Sequence, residues 1–345
     1  MPTHNFSALK GHVETIVIKS SALEGNLLGD PVDREVAIYL PPGYTTSTDN
    51  YPLLVDLVGY TGSGLSHVAW KGFGESVPQR VERLIEQGKM GEVIVALPDC
   101  FTSLGGNQYI DSLAMGNWAS YLTDEMLPVI EKSYRVKPGA INRGVFGKSS
   151  GGYGAIIHGM KHAGHWGAIA CHSGDMAFDL VYRNEFANTI MALAKSGGSI
   201  ETFMSQLISD VKMSGSNLNT LMTLAMAATY DPDPGSLFGI RLPVTLDTCE
   251  IIPERWRAWL NWDPVELVEA ESVQQNLKSL RGIYIDCGSM DQYALVFGAR
   301  QLVARLTKFE IPHHYAEFPD DHSSIDYRMD ESLPFLYDVL SSTST

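Results

Sequence analysis

Short apolar runs alternate with longer amphipathic ones along most of this chain. Runs rich in Val, Ile, Leu and Tyr, bounded by Gly, Pro or Asp, predict strands at 15–19, 35–40, 53–58, 93–98, 144–147, 166–171, 282–287 and 314–318. Apolar positions recurring every three to four residues predict helices at 77–87, 118–133, 152–162, 293–308 and 333–340. A Gly/Pro-rich loop, rather than a helix, joins the first two strands, so they are expected to pair antiparallel at one edge. The repeated strand-then-helix order of the rest predicts a mainly parallel eight-stranded sheet covered on both faces.

One segment breaks the rhythm. From 176 to 280 helical patches are separated by Ser/Gly and Asp/Pro punctuation, with no regular strand alternation. The segment holds Met176, Met191, Met204, Met213, Met222 and Met226, nearly half of the 13 methionines, and methionine packs adaptably. It follows the sixth strand, near the C-terminal sheet edge where open α/β folds bind ligands. The expected organisation is therefore a core at 1–175, a helical cap inserted at 176–280 and the rest of the core at 281–345.

Composition narrows the function. A formal charge of −15 argues against nucleic acid or an anionic membrane as partner, because both would be repelled at long range. No stretch is apolar enough for membrane insertion. Cys100, Cys171, Cys249 and Cys287 lack C-x-x-C spacing, which favours a reduced compartment and disfavours zinc. Met1 to Lys10 shows no charged segment leading into an apolar core, so the cytoplasm is the expected location, with secretion the alternative if a leader has been removed.

The chemistry is carried by Gly147-Lys148-Ser149-Ser150-Gly151-Gly152, which fits G-x-S-x-G between a predicted strand and a predicted helix. A serine hydroxyl is a weak nucleophile, and a tight strand-to-helix turn lifts it clear of the backbone beside a base and oxyanion donors. Ser149 is the expected nucleophile; Ser150 competes only in a register with one correctly spaced glycine. The acid is expected after a late strand and the base after the last one. Asp291, in the turn after 282–287, is the chosen acid, with Asp286 inside the strand as its rival. His322, after 314–318, is the chosen base. His172, which follows the sixth strand, is the competing histidine near the pocket mouth. Main-chain N–H groups of Tyr60 and Ser150 are the expected oxyanion hole. Lys148, His172, Trp256 and Trp259 are candidate substrate contacts, the tryptophans as an apolar wall beneath the cap. No metal and no organic cofactor is called for.

With these residues in place the chain resembles the putative-esterase (esterase D-like) family of α/β-hydrolases, which includes S-formylglutathione hydrolases, feruloyl esterases, enterochelin esterases and mycolyltransferases. The resemblance runs from Val36-Ala37-Ile38-Tyr39-Leu40-Pro41-Pro42-Gly43-Tyr44 to the C-terminus, through Tyr51-Pro52, Pro98-Asp99, the serine motif, Asp286 to Asp291 and Asp321-His322-Ser323. It implies an α/β-hydrolase fold and a triad at Ser149, Asp291 and His322. The sequence departs at Val58-Gly59, where many relatives have His-Gly, and at Lys148, where relatives often carry His, Tyr or Glu. The expected activity is hydrolysis of small or aromatic carboxylic esters through an acyl-enzyme. An acyltransferase using the same triad, and an inactive hydrolase-fold binding protein, are the alternatives. A small-molecule ester is the expected partner, and the cap offers a surface for a homodimer.

Overall fold

The computed structural model describes residues 8–342, so most of the N-terminal stretch and the last three residues of the Ser/Thr tail lie outside it. All eight predicted strands form and join one sheet. They are β1 (His12–Lys19), β2 (Asp33–Leu40), β3 (Leu53–Leu57), β4 (Ile94–Pro98), β5 (Arg143–Lys148), β6 (Ala168–His172), β7 (Gly282–Gly288) and β8 (His314–Phe318). Their spatial order is β1-β2-β4-β3-β5-β6-β7-β8. The first two strands pair antiparallel, β2 runs antiparallel to β4, and every later pairing is parallel.

Strands buried on both faces need apolar side chains pointing both ways, and β3 and β4 have no exposed residue. One face is covered by α1 (Val77–Glu86) and by the C-terminal helix α8 (Met329–Ser341). Ser76 opens α1 with a capping box closed by Gln79, which satisfies two main-chain donors reciprocally. The other face is covered by the helical run 118–133, by α2 (Ser150–Lys161) and by α7 (Leu295–Lys308). The C-terminal helix begins at Met329, four residues before the predicted start, and carries Pro334 inside it. The turn Ile325–Arg328 feeds directly into it, so Pro334 falls in the second turn instead of at the cap.

Between β6 and β7 the chain departs from the sheet. It forms α3 (Phe186–Ala194), α4 (Ile200–Ser209), α5 (Gly215–Tyr230) and α6 (Pro253–Leu260). These are held by a cluster of aromatic rings, with Phe186 edge-on to both Trp256 and Trp259 and Tyr230 against Phe178 and Trp259. Its two ends meet at one carboxylate. Asp263 accepts the N–H groups of Ala177 (3.0 Å) and Phe178 (2.7 Å), and caps the following turn through the Val265 N–H (3.0 Å). The last helix before β7, Glu271–Ser279, packs on α2, where the Asn276 amide donates to the Met160 carbonyl. It makes the crossover that two adjacent parallel strands require.

Candidate active site

The turn after β5 is sharp because two chain segments cross where no side chain fits. A Cβ on Gly151 would stand 1.8 Å from the Leu57 carbonyl oxygen, and one on Gly147 2.3 Å from the same atom. Ser149 sits at the bend with φ 58° and ψ −124°, a conformation that costs about 1–3 kcal/mol for a residue with a side chain. Its N–H donates to the His172 carbonyl (2.9 Å), and its own carbonyl accepts the Tyr153 N–H (2.9 Å) that begins the helix ladder. Ser150 is the first helical residue and not the bend.

The turn opens into a cavity of about 530 Å³ at the C-terminal edge of the sheet, a size suited to a small ligand. Ser149, Ser150, Tyr60, Lys148 and His322 all line it. His322 is oriented from below. Its Nδ1 lies 2.8 Å from Asp291 Oδ2, and the other Asp291 oxygen accepts the Tyr293 N–H at 2.9 Å. An Nδ1–H donated to a carboxylate leaves the lone pair on Nε2, which is the tautomer a general base needs. Two neighbours of Asp291 that the sequence reading passed over complete the mounting. Gln292 accepts the His322 N–H through Oε1 (2.9 Å), and the Tyr293 ring meets the imidazole edge-on with centroids 5.0 Å apart. Their adjacency to Asp291 was the one available signal.

Ser149 Oγ makes no hydrogen bond to His322 or to any other described residue. Catalytic hydrogen bonds often tighten only when substrate is bound. The main-chain N–H groups of Tyr60 and Ser150 likewise have no acceptor among the described residues. For Ser150 the cause is general, since the first N–H groups of a helix have no partner within it. Tyr60 is anchored by other atoms. Its hydroxyl donates to the Leu104 carbonyl (2.5 Å), and its own carbonyl accepts the Gly106 N–H (2.6 Å).

Three candidate contacts lie elsewhere. His172 is buried under the sheet, with Nδ1 2.7 Å from Asp286 Oδ1 and Nε2 2.7 Å from Ser332 Oγ on α8. The cause is strand parity: His172 and Asp286 are register partners and point to the face that α8 covers. Asp286 also accepts from Arg328 Nε (3.0 Å) and the Tyr284 hydroxyl (3.0 Å), which removes it as an acid for His322. Trp256 and Trp259 belong to the aromatic core of the segment between β6 and β7, not to the cavity wall. That segment reaches the cavity instead through Leu180, Val181, Tyr182, Leu218 and Met222. Of its methionines Met222 alone lines the space.

Asp175, which also lines the cavity, accepts Gln108 Nε2 and the Tyr182 hydroxyl, each at 2.8 Å, and burial pushes its carboxyl above the ordinary value. Lys148 is half-buried, and burial lowers its ammonium below the usual lysine value. Among the described residues no helix is long and apolar enough to cross a membrane, and no group of three or more His, Cys, Asp or Glu is placed to hold a metal ion. All four cysteines are free thiols.

Comparison with known proteins bears on the family and the fold. A model of the esterase family described as "Putative esterase" matches residues 31–330. "Uncharacterized protein YbbA" of Bacillus subtilis is 24% identical over 191 residues, covering 50% of this chain and 67% of that protein. "Esterase MT1326" of Mycobacterium tuberculosis is 29% identical over 173 residues, covering 47% of this chain and 34% of that protein. The matched region thus spans about a third of the mycobacterial relative. Among solved structures, a ferulic acid esterase superposes with a TM-score of 0.63 at 20% identity, covering 96% of this chain and 100% of the other. An S-formylglutathione hydrolase from Agrobacterium tumefaciens gives 0.60 at 17% identity, covering 99% and 100%. At such identities these likenesses show the fold, which is that of an α/β-hydrolase.

Proposed function

This chain belongs to the Putative esterase family, and on that premise we propose that it is a serine esterase cleaving small or aromatic carboxylic esters through an acyl-enzyme. The observation that carries the reading is the His322–Asp291 pair at 2.8 Å, on the same cavity as the strained turn at Ser149.

In this mechanism His322 Nε2 takes the Ser149 proton as Oγ attacks the ester carbonyl carbon. The Tyr60 and Ser150 N–H groups receive the negative charge that develops on the carbonyl oxygen. Such preorganised donors are each worth about 3–4 kcal/mol in comparable enzymes. His322 then gives its proton to the departing alkoxide, leaving the acyl group on Oγ. A water deprotonated by His322 attacks that acyl-enzyme, and collapse of the second tetrahedral intermediate returns the serine proton. Asp291 keeps the imidazole oriented and stabilises its protonated form.

The segment between β6 and β7 acts in this reading as a cap whose Leu180, Val181, Leu218 and Met222 set the room for the ester's apolar part. Tyr60, Tyr182 and Tyr293, which also line the cavity, suit an aryl group, and one structural relative is named as a ferulic acid esterase. The test is hydrolysis of p-nitrophenyl esters from acetate to decanoate, and of methyl ferulate, by the native protein and Ser149→Ala. Activity should vanish in the variant and fall at long chain lengths. A chain that hydrolyses none of them and resists a fluorophosphonate probe is not a serine esterase.

A further inference from the structure

One corner of the cavity carries charge that the acyl-transfer steps do not use. It is built from His67, Lys71, Lys148 and Asp326, which all line the cavity beside Ser149. His67 Nδ1 lies 2.5 Å from Asp56 Oδ2, whose side chain is fully buried in β3. Lys71 Nζ lies 2.9 Å from Asp326 Oδ2. Each of these basic groups therefore has its own carboxylate.

Lys148 has none. Strand register puts Lys148, His172 and Asp286 side by side on β5, β6 and β7, with Asp56 two positions back along the same face through its partner Phe146. In this row of four polar side chains, His172 and Asp286 bond to each other and Asp56 bonds to His67. Lys148, one residue from the nucleophile, has no ion-pair or hydrogen-bond partner among the described residues. A half-buried ammonium loses hydration that a protein normally replaces with an acceptor. Burial is the leading reason that its ammonium is less stable than usual; Asp326 partly offsets this and Lys71 adds to it. On His67 burial is again the largest single influence and disfavours the charge, but the attraction and hydrogen bond of Asp56, together with Asp326, raise the imidazole above its ordinary value. With Nδ1 turned to Asp56, His67 holds Nε2 free of any described protein partner.

We propose that Lys148, flanked by His67 and Lys71, is a subsite for an anionic group, so that the preferred esters carry a carboxylate or phosphate close to the scissile carbonyl. This builds on the esterase reading and names a substrate class within it. The unmatched ammonium supplies the charge, while the Leu180, Val181, Leu218 and Met222 side of the cavity takes the apolar remainder.

Binding to Ser149→Ala, which needs no turnover, tests the subsite. Calorimetry would compare monomethyl glutarate with its uncharged isostere methyl glutaramate. The half-ester should bind about tenfold tighter or more, as a charge-assisted contact requires. The preference should collapse in Ser149→Ala/Lys148→Met and return in part with Lys148→Arg. Raised salt should weaken the half-ester alone in the otherwise native cavity, a readout that survives a misfolded lysine variant. Competition by glutarate against inorganic phosphate separates the two anions. Equal binding of half-ester and amide, or a preference that persists in Lys148→Met, overturns the subsite, as does failure of the half-ester to bind. Absence of any ester hydrolysis by the native protein, with the binding preference intact, would overturn the esterase reading and leave the subsite standing.

Discussion

Two histidine–carboxylate pairs stand at the C-terminal edge of one sheet with nearly the same geometry. His322 lies 2.8 Å from Asp291, and His172 lies 2.7 Å from Asp286 with the Ser332 hydroxyl 2.7 Å from its other nitrogen. By contact pattern alone the second is the more complete Ser-His-Asp chain. Yet Ser332 and Asp286 have no exposed surface and His172 has 1%, so no ester can reach them. The open pair has a less finished hydrogen-bond chain but a cavity, a strained serine and main-chain donors without partners. Reaction chemistry is specified by access and by unfilled hydrogen bonds, while a fully satisfied network of the same atoms ties a helix to a sheet.

Substituting one histidine at a time breaks the comparison most sharply. His322→Ala should cut kcat/KM for p-nitrophenyl acetate by about 10⁴-fold or more, with an unfolding midpoint close to native. Asp291→Asn should retain the fold and lose about 10³–10⁴-fold in kcat, because its amide no longer fixes the imidazole tautomer. A loss of less than tenfold in steady-state assays would remove Asp291 from the triad. His172→Ala should do the reverse. Leaving Asp286 and Ser332 buried without their ring partner should cost about 3–5 kcal/mol in urea unfolding, with activity per folded molecule falling less than tenfold.

A third histidine supplies the smallest effect. His158 is buried between the Trp166 indole N–H, which donates to Nδ1 at 3.1 Å, and the Tyr109 carbonyl, which accepts from Nε2 at 3.0 Å. Burial first, then its neighbour His162, lowers it to about 3 from the ordinary 6.5. The unfolded chain therefore takes up a proton below about pH 6.5 that the folded protein refuses until about pH 3. Stability contributed by the neutral ring is complete above 6.5 and declines as pH falls through that window. Between pH 7 and 5 the loss is about 2 kcal/mol. Urea midpoints at the two pH values should converge by that amount in His158→Gln, and an unchanged slope would show that His158 does not carry it.

What the sequence disclosed follows the same division. The strands were legible because runs buried on both faces are apolar throughout, as in Leu53-Leu54-Val55. Ser149, Asp291 and His322 stood out because turn glycines and strand ends mark the sheet edge in one dimension. Trp256 and Trp259 were not legible as core residues, since spacing along a helix is the same whether a face meets a cavity or other rings. His172 was misplaced because strand parity, set by pairing with Asp286 over a hundred residues away, decides which side of the sheet its ring enters. The corner of Asp56, His67, Lys71 and Asp326 pairs Lys71 with a residue 255 positions away and left no local trace.

The carboxylate of Asp263 has a further consequence. Because it gathers the N–H groups of Ala177 and Phe178 at one end of the inserted helices and caps the chain at the other, the segment leaves and rejoins the enzyme at a single point. The clasp is not the segment's one fastening, because the Ser112 hydroxyl donates to the Ala228 carbonyl and the Tyr153 hydroxyl donates to the Trp262 carbonyl: the inserted helices are tied to the very helix that begins at the serine turn, so a different set grafted there would have to keep those ties as well as the clasp.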